Sequence, residues 1–220
     1  MCEIGHSVYK IPLVLPASLE PHRKKFERTL TAAQKRLKDF AEKNGWEAFI
    51  KESFIDRAEI FDNKNKFDQT FLKLHDEKPS TKLPKTVSAA LEKRIFIAVS
   101  PKLYSKNYPE GIEEKSFEKL ITHEMAHRLH IRILNGDEHA MGPVWFFEGF
   151  AIYAAGQFEK SRAKLNSTEI WEIIKEQERG SYKKYSFVFR YFLTRVCIHD
   201  LVERAGKKDF LDWLRQVANQ

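Results

Sequence analysis

The stretch that most constrains this chain lies at residues 114–134. Phe117, Leu120, Ile121, Leu129, Ile131, Ile133 and Leu134 recur through it, and among them stand His123, Glu124 and His127. The periodicity predicts a helix that is apolar on most sides and therefore largely buried. Two histidines and a glutamate are costly in such a helix unless a partner meets them. On a helix, residues four apart lie about 40° apart around the axis and one turn along it. The imidazoles of His123 and His127 can therefore converge on one Zn²⁺. Glu124 is offset by about 100° from His123. That is too far round to share the coordination position, but close enough to take a proton from a water at an open one. Random placement would give His-Glu-x-x-His in roughly 3 of 100 chains of this composition, so the weight comes from the apolar context as much as from the pattern.

A zinc site of this kind needs a third protein ligand. The spacing His-Glu-x-x-His-x-x-Gly-x-x-His fails, because residue 133 is Ile and His130 stands where Gly belongs. The better candidate is Glu148, in Trp145-Phe146-Phe147-Glu148-Gly149-Phe150-Ala151, with 20 residues intervening after His127. The loop from Asn135 to Gly142 lets this second helix fold back on the first, and Gly149 is expected to let those two helices pack closely. His130 returns to nearly the face of His123, but Arg132 and the coming helix end suggest a surface rim. His139 is expected in solvent.

The remainder reads as an α+β chain, one domain over residues 1–220. Its first lobe, 1–112, is mixed α/β with a small sheet. Phe26, Leu30, Ala33, Leu37 and Phe40 mark a helix over 21–44, stopped by Gly45. A strand is expected at 54–61, a short helix at 67–74, a loop at 78–85, a strand within 86–100 that is apolar on both faces and so buried, and a loop at 101–112. The second lobe, 113–220, reads as all α, with helices near 114–134, 143–159, 167–178, 183–205 and 207–218. Pro143 opens the second of these, where a missing N–H is harmless.

Of the 220 residues, 42% are hydrophobic and 17 are Phe, which excludes a disordered chain. The net charge of +7 sits almost wholly in the first half: residues 1–112 hold 21 Lys and Arg against 15 Asp and Glu, and 113–220 hold 17 against 16. The lysines are scattered among glutamates, which favours a solvated surface over a nucleic-acid footprint. Cys2 and Cys197 lie far apart and make neither a disulfide framework nor a metal knuckle. No run approaches the ~20 apolar residues of a membrane span, and the opening MCEIGHSVYKIPLVLP lacks the pattern of a signal peptide. The expectation is a soluble, cytoplasmic protein, although a Met-Cys start is also what remains when Met replaces a lipoprotein leader.

His123-Glu124-x-x-His127 followed by Trp145-x-x-Glu148-Gly149-x-Ala151 resembles the gluzincin metallopeptidases. The Trp-x-x-Glu-Gly-Phe-Ala stretch is similar to that of the large zinc aminopeptidases, and the size and layout to small peptidase-MA-like bacterial domains. The resemblance is close over about 117–153 and looser over 86–220; the first 50 residues carry none of it. It implies a zincin-like fold, His123, His127 and Glu148 as zinc ligands, and Glu124 as general base and proton shuttle. It also implies an oxyanion donor from the helical lobe. Gly180-Ser181-Tyr182-Lys183-Lys184-Tyr185 is similar to the segment that supplies a tyrosine in peptidase-MA-like domains, which favours Tyr182, then Tyr185, with His199 a weaker candidate. Thr86 to Leu91 has the small residues suited to pairing with an extended substrate. Two departures stand out. The Gly-x-Met-Glu-Asn segment with which the aminopeptidases hold a free N-terminus is missing. Ile152 stands where thermolysin-like enzymes place an Asp that orients a zinc histidine.

The expected function is zinc-dependent hydrolysis of peptide bonds in a peptide or protein substrate, in the manner of an endopeptidase. The alternative is a non-catalytic zinc-bearing protein whose basic first half binds an acidic partner or nucleic acid.

Overall fold

The computed structural model describes residues 8–219 and is α+β, with nine α-helices and four strands among those residues. The chain forms two compact units. One holds Met1–Asp39 with Ile50–Met125, and the other holds Phe40–Phe49 with Ala126–Gln220. Cys2 lies outside the described residues.

The first unit contains the sheet. Its strand order is β1 (Leu13–Val14), β2 (Arg57–Phe61), β4 (Ile95–Val99), β3 (Ala89–Glu92). β1, β2 and β4 run parallel, with Ala58 opposite both Leu13 and Phe96, while β3 pairs antiparallel with β4 and forms one edge. Phe96, Ile97, Ala98 and Val99 are all fully buried, so β4 is covered on both faces as its unbroken apolar run requires. Helix α1 (Arg23–Lys43) buries Phe26, Leu30, Ala33 and Leu37, the stripe expected from spacings of three and four. Removing such side chains from water stabilises the fold by about 1.5–3 kcal/mol for each large one.

Helix α4 (Ser116–Ile133) begins in this unit. Its first turns are fixed against α1. Arg36 donates from Nε (3.0 Å) and Nη2 (2.6 Å) to Oε1 of Glu118, and the buried hydroxyl of Thr122 bonds to carbonyls of Glu118 (3.0 Å) and Ala33 (3.3 Å). Phe117, Leu120, Ile121, Met125, Ala126 and Leu129 are buried, as an all-round apolar helix should be.

The second unit is helical: α5 (Val144–Ala155), α6 (Ser167–Lys175), α7 (Tyr182–Leu193), α8 (Ile198–Arg204) and α9 (Phe210–Ala218) follow α4. Its core is aromatic. Trp145 stacks on Phe210 with ring centroids 6.2 Å apart, and Phe146 meets Phe189 at 5.4 Å. Among the described residues no helix is long and apolar enough to cross a membrane.

Four local expectations are corrected. Residues 86–100 form a hairpin, because Lys93 and Arg94 both take positive φ (48° and 62°) and so make the tight turn usually left to Asn-Gly. Residues 101–107 are a helix, α3 (Pro101–Asn107): Ser100 caps it by accepting from the Leu103 N–H, and Pro101 occupies its first position. The single helix expected over 183–205 is α7 and α8, separated where Cys197 becomes extended (ψ 158°) as the cap of α8. Gly149 packs against α7 and not α4, since a Cβ there would stand 2.9 Å from Cβ of Phe189.

Candidate metal centre

Helix α4 carries His123 and His127 one turn apart, and α5 brings Glu148. The connection between the helices is tightly set. Asp137 caps a short 3-10 turn at Glu138–Met141 by accepting from the His139 N–H. Gly142 follows with φ +83°, where a Cβ would come within 2.7 Å of Cβ of Ala205. Gly206 would likewise meet Cα of Ala140 at 2.6 Å. The loop thus lies directly on the residues that follow α8, with only the methyl of Ala205 between the two backbones. Pro143 then caps α5 in an extended conformation. Glu148 falls at the fifth residue of that helix, just over one turn in.

The structure brings the three expected ligands together. One donor atom from each of His123, His127 and Glu148 lies within 4.8 Å of the other two. Nε2 of His127 is 3.6 Å from Oε2 of Glu148. Two donors sharing a tetrahedral zinc with bonds of 2.0–2.2 Å stand about 3.3–3.5 Å apart, so this pair lies just outside the separation a shared ion needs. His123 is 4% and Glu148 1% exposed, while the His127 side chain retains 18%. Two imidazole nitrogens and one carboxylate oxygen are a donor set that could hold a metal ion, and a borderline-soft divalent ion such as zinc takes this mixture of ligands.

Glu124 follows His123 on α4, half-buried, and among the described residues its carboxylate makes no salt bridge. Its charge helps to hold the phenol of buried Tyr104 above its usual range, after burial itself and the neighbours Tyr108 and Glu113.

Oε1 of Glu148 is 3.1 Å from Nε of Arg179, which lies in the loop between α6 and α7. Nothing in the sequence pattern singled out Arg179; the only signal is that a buried carboxylate needs a counter-charge.

The two candidate tyrosines differ. Helix α7 opens on Tyr182, which is half-buried with its ring 6.1 Å from that of Tyr185. Tyr185 is fully buried. Its hydroxyl donates to the Glu178 carbonyl (3.1 Å) and accepts from the Gly180 N–H (2.5 Å). Burial pushes its pKa up, opposed by the Gly180 N–H, so the phenol stays protonated at neutral pH.

The other histidines go elsewhere. His130 is not at a rim: it is 0% exposed, stacked on Phe150 (centroids 4.4 Å, 26°) with Phe146 at its edge, because α5 covers this end of α4. Burial pushes its pKa down to about 3, aided by His127, and neither ring nitrogen has a hydrogen-bond partner among the described residues. His139 is exposed, as expected. His199 holds Nε2 2.8 Å from the Asn44 carbonyl and lies against Trp46 (4.8 Å). Cys197 is an exposed free thiol. No family model, curated protein or solved structure matches the chain, so what can be said of its chemistry rests on these side chains.

Proposed function

We propose that this chain is a zinc-dependent metallopeptidase of gluzincin type with a zincin-like fold, cleaving within peptide or protein substrates. The single observation that carries the reading is the convergence of His123, His127 and Glu148, with Glu124 next to the first of them on the same helix. A closed structural zinc site has no use for an extra carboxylate in that place, whereas a hydrolytic site needs one.

In this reading His123, His127 and Glu148 hold the ion. A zinc bound there supplies Lewis acidity, polarising the substrate carbonyl and making water acidic enough to lose a proton near neutral pH. The carboxylate of Glu124 accepts that proton and returns it to the nitrogen of the departing amine. The hydroxyl of Tyr182 is the donor assigned to the oxyanion, because that of Tyr185 already bonds to the backbone of residues 178 and 180. Strand β3, at the sheet edge, is suited to main-chain pairing with an extended substrate.

The test is digestion of a mixed peptide library by zinc-loaded protein, with products mapped by mass spectrometry. Internal cuts that vanish on chelation and return with zinc support the proposal. An uncut library with zinc stoichiometrically bound favours the non-catalytic alternative.

A further inference from the structure

The segment 176–181, between α6 and α7, stands out for how firmly its backbone is held. One hydroxyl, that of Tyr185, bonds on both sides of residue 179: it donates to the carbonyl of Glu178 and accepts from the N–H of Gly180. It also reaches Oε2 of Glu176 at 3.5 Å. A Cβ at residue 180 would stand 2.4 Å from Oε2 of Glu176 and 3.1 Å from the tyrosine hydroxyl, so with Gly here the Glu176 carboxylate can lie against the loop, and a larger residue would displace that flexible side chain. Between the two clamped peptides lies Arg179, whose side chain runs from solvent (64% exposed) to Oε1 of Glu148 (1% exposed).

An exposed arginine on a free loop gains little from an ion pair, because ordering its long side chain costs about as much as the attraction returns. Two features change that balance here. The backbone at 179 is held by Tyr185 before the side chain makes any contact, and the carboxylate end of the pair is desolvated, which strengthens the attraction. Of the two oxygens of Glu148, Oε1 is 3.1 Å from Nε of Arg179, an ion pair without hydrogen-bond alignment, and Oε2 is 3.6 Å from Nε2 of His127.

We infer that Arg179 is a positioning residue for the third metal ligand, and that Tyr185 acts through it. Arg179 engages Oε1 and so presents Oε2 as the single ligand oxygen. Tyr185 holds the loop that carries Arg179. This inference rests on the metal-site reading above and assigns Tyr185 a place outside the reacting atoms. Partners that orient a metal ligand in this way are typically worth 10–100-fold in metal affinity or activity.

The experiment is zinc affinity by chelator competition, with unfolding midpoints of the metal-free proteins as a control. It compares wild type, Arg179→Met, Arg179→Lys, Tyr185→Phe and the Arg179→Met/Tyr185→Phe double variant. The metal-site reading itself fails if wild type takes up no zinc. If wild type binds one zinc, Arg179→Met is expected to bind it at least 10-fold more weakly at an unchanged unfolding midpoint, and Arg179→Lys to recover part of the loss. Tyr185→Phe is expected to weaken zinc binding on its own and to add nothing to Arg179→Met. Wild-type zinc affinity in Arg179→Met overturns the role of Arg179. Fully additive losses in the double variant overturn the claim that Tyr185 acts through it.

Discussion

Oε2 of Glu148 stands 3.6 Å from Nε2 of His127, although 20 residues separate the two in the chain. In the proposed reading this carboxylate and imidazole form two corners of a metal site, and His123, which lies within reach of both, supplies the third. Replacing any one by Ala leaves two ligands, too few for a tight zinc site. His123→Ala, His127→Ala and Glu148→Ala are each expected to lose stoichiometric zinc after dialysis against a weak chelator, measured by elemental analysis. Stoichiometric zinc in His123→Ala would show the ligand assignment to be wrong.

Metal binding is also expected to stabilise the fold. A ligand that binds only the native state at 100 times its Kd adds about 2.7 kcal/mol. For a chain of this size that corresponds to an unfolding midpoint raised by roughly 5–11 °C. Zinc should give this rise in wild type by calorimetry and give none in Glu148→Ala.

His130 carries a pH dependence of its own. Folded, its pKa is about 3; unfolded, it returns to 6.5. The native ring stays neutral while the unfolded chain takes up a proton below pH 6.5, so stability falls as the pH drops from 6.5 toward 3 and this contribution levels off below that. At pH 5 the loss attributable to His130 is about 2 kcal/mol. His130→Phe, compared with wild type by urea unfolding of the metal-free proteins at pH 7 and pH 5, should lose less stability between the two. Equal losses would mean that this ring is not the group being protonated.

Gly149 sets the distance between α5 and α7. In an exposed helix Gly→Ala gains about 1 kcal/mol from helix propensity. Here the new methyl would stand 2.9 Å from Cβ of Phe189, a backbone-anchored atom that cannot swing away. Overpacking of this kind costs about 1–3 kcal/mol, so Gly149→Ala is expected to lower the urea midpoint despite its better propensity. A raised midpoint would mean that the two helices can separate freely.

What was legible in the sequence and what was not divides along physical lines. Helices α1 and α4 and the buried strand β4 follow from apolar periodicity, which is local, and the choice of His123, His127 and Glu148 as a donor set that meets in the fold follows from ligand chemistry. The hairpin at Lys93-Arg94 was hidden because non-glycine residues hold its left-handed turn. Helix α3 was hidden because the prolines of 101–112 point to a loop, whereas Pro101 stands at the first helical position behind the Ser100 cap, where proline starts a helix. The burial of His130, the contact of Gly149 with Phe189 and the reach of Arg179 to Glu148 depend on which helix or loop lies across from which. No spacing within one segment encodes that.

The most direct measurement compares peptide hydrolysis by wild type and Glu124→Gln, each with its zinc content determined on the same sample. The substitution keeps the size of the side chain and removes its capacity to take a proton. The account predicts one zinc per chain in both proteins and turnover at least 10²-fold lower in Glu124→Gln. Turnover by Glu124→Gln equal to that of wild type, at equal zinc content, would contradict it.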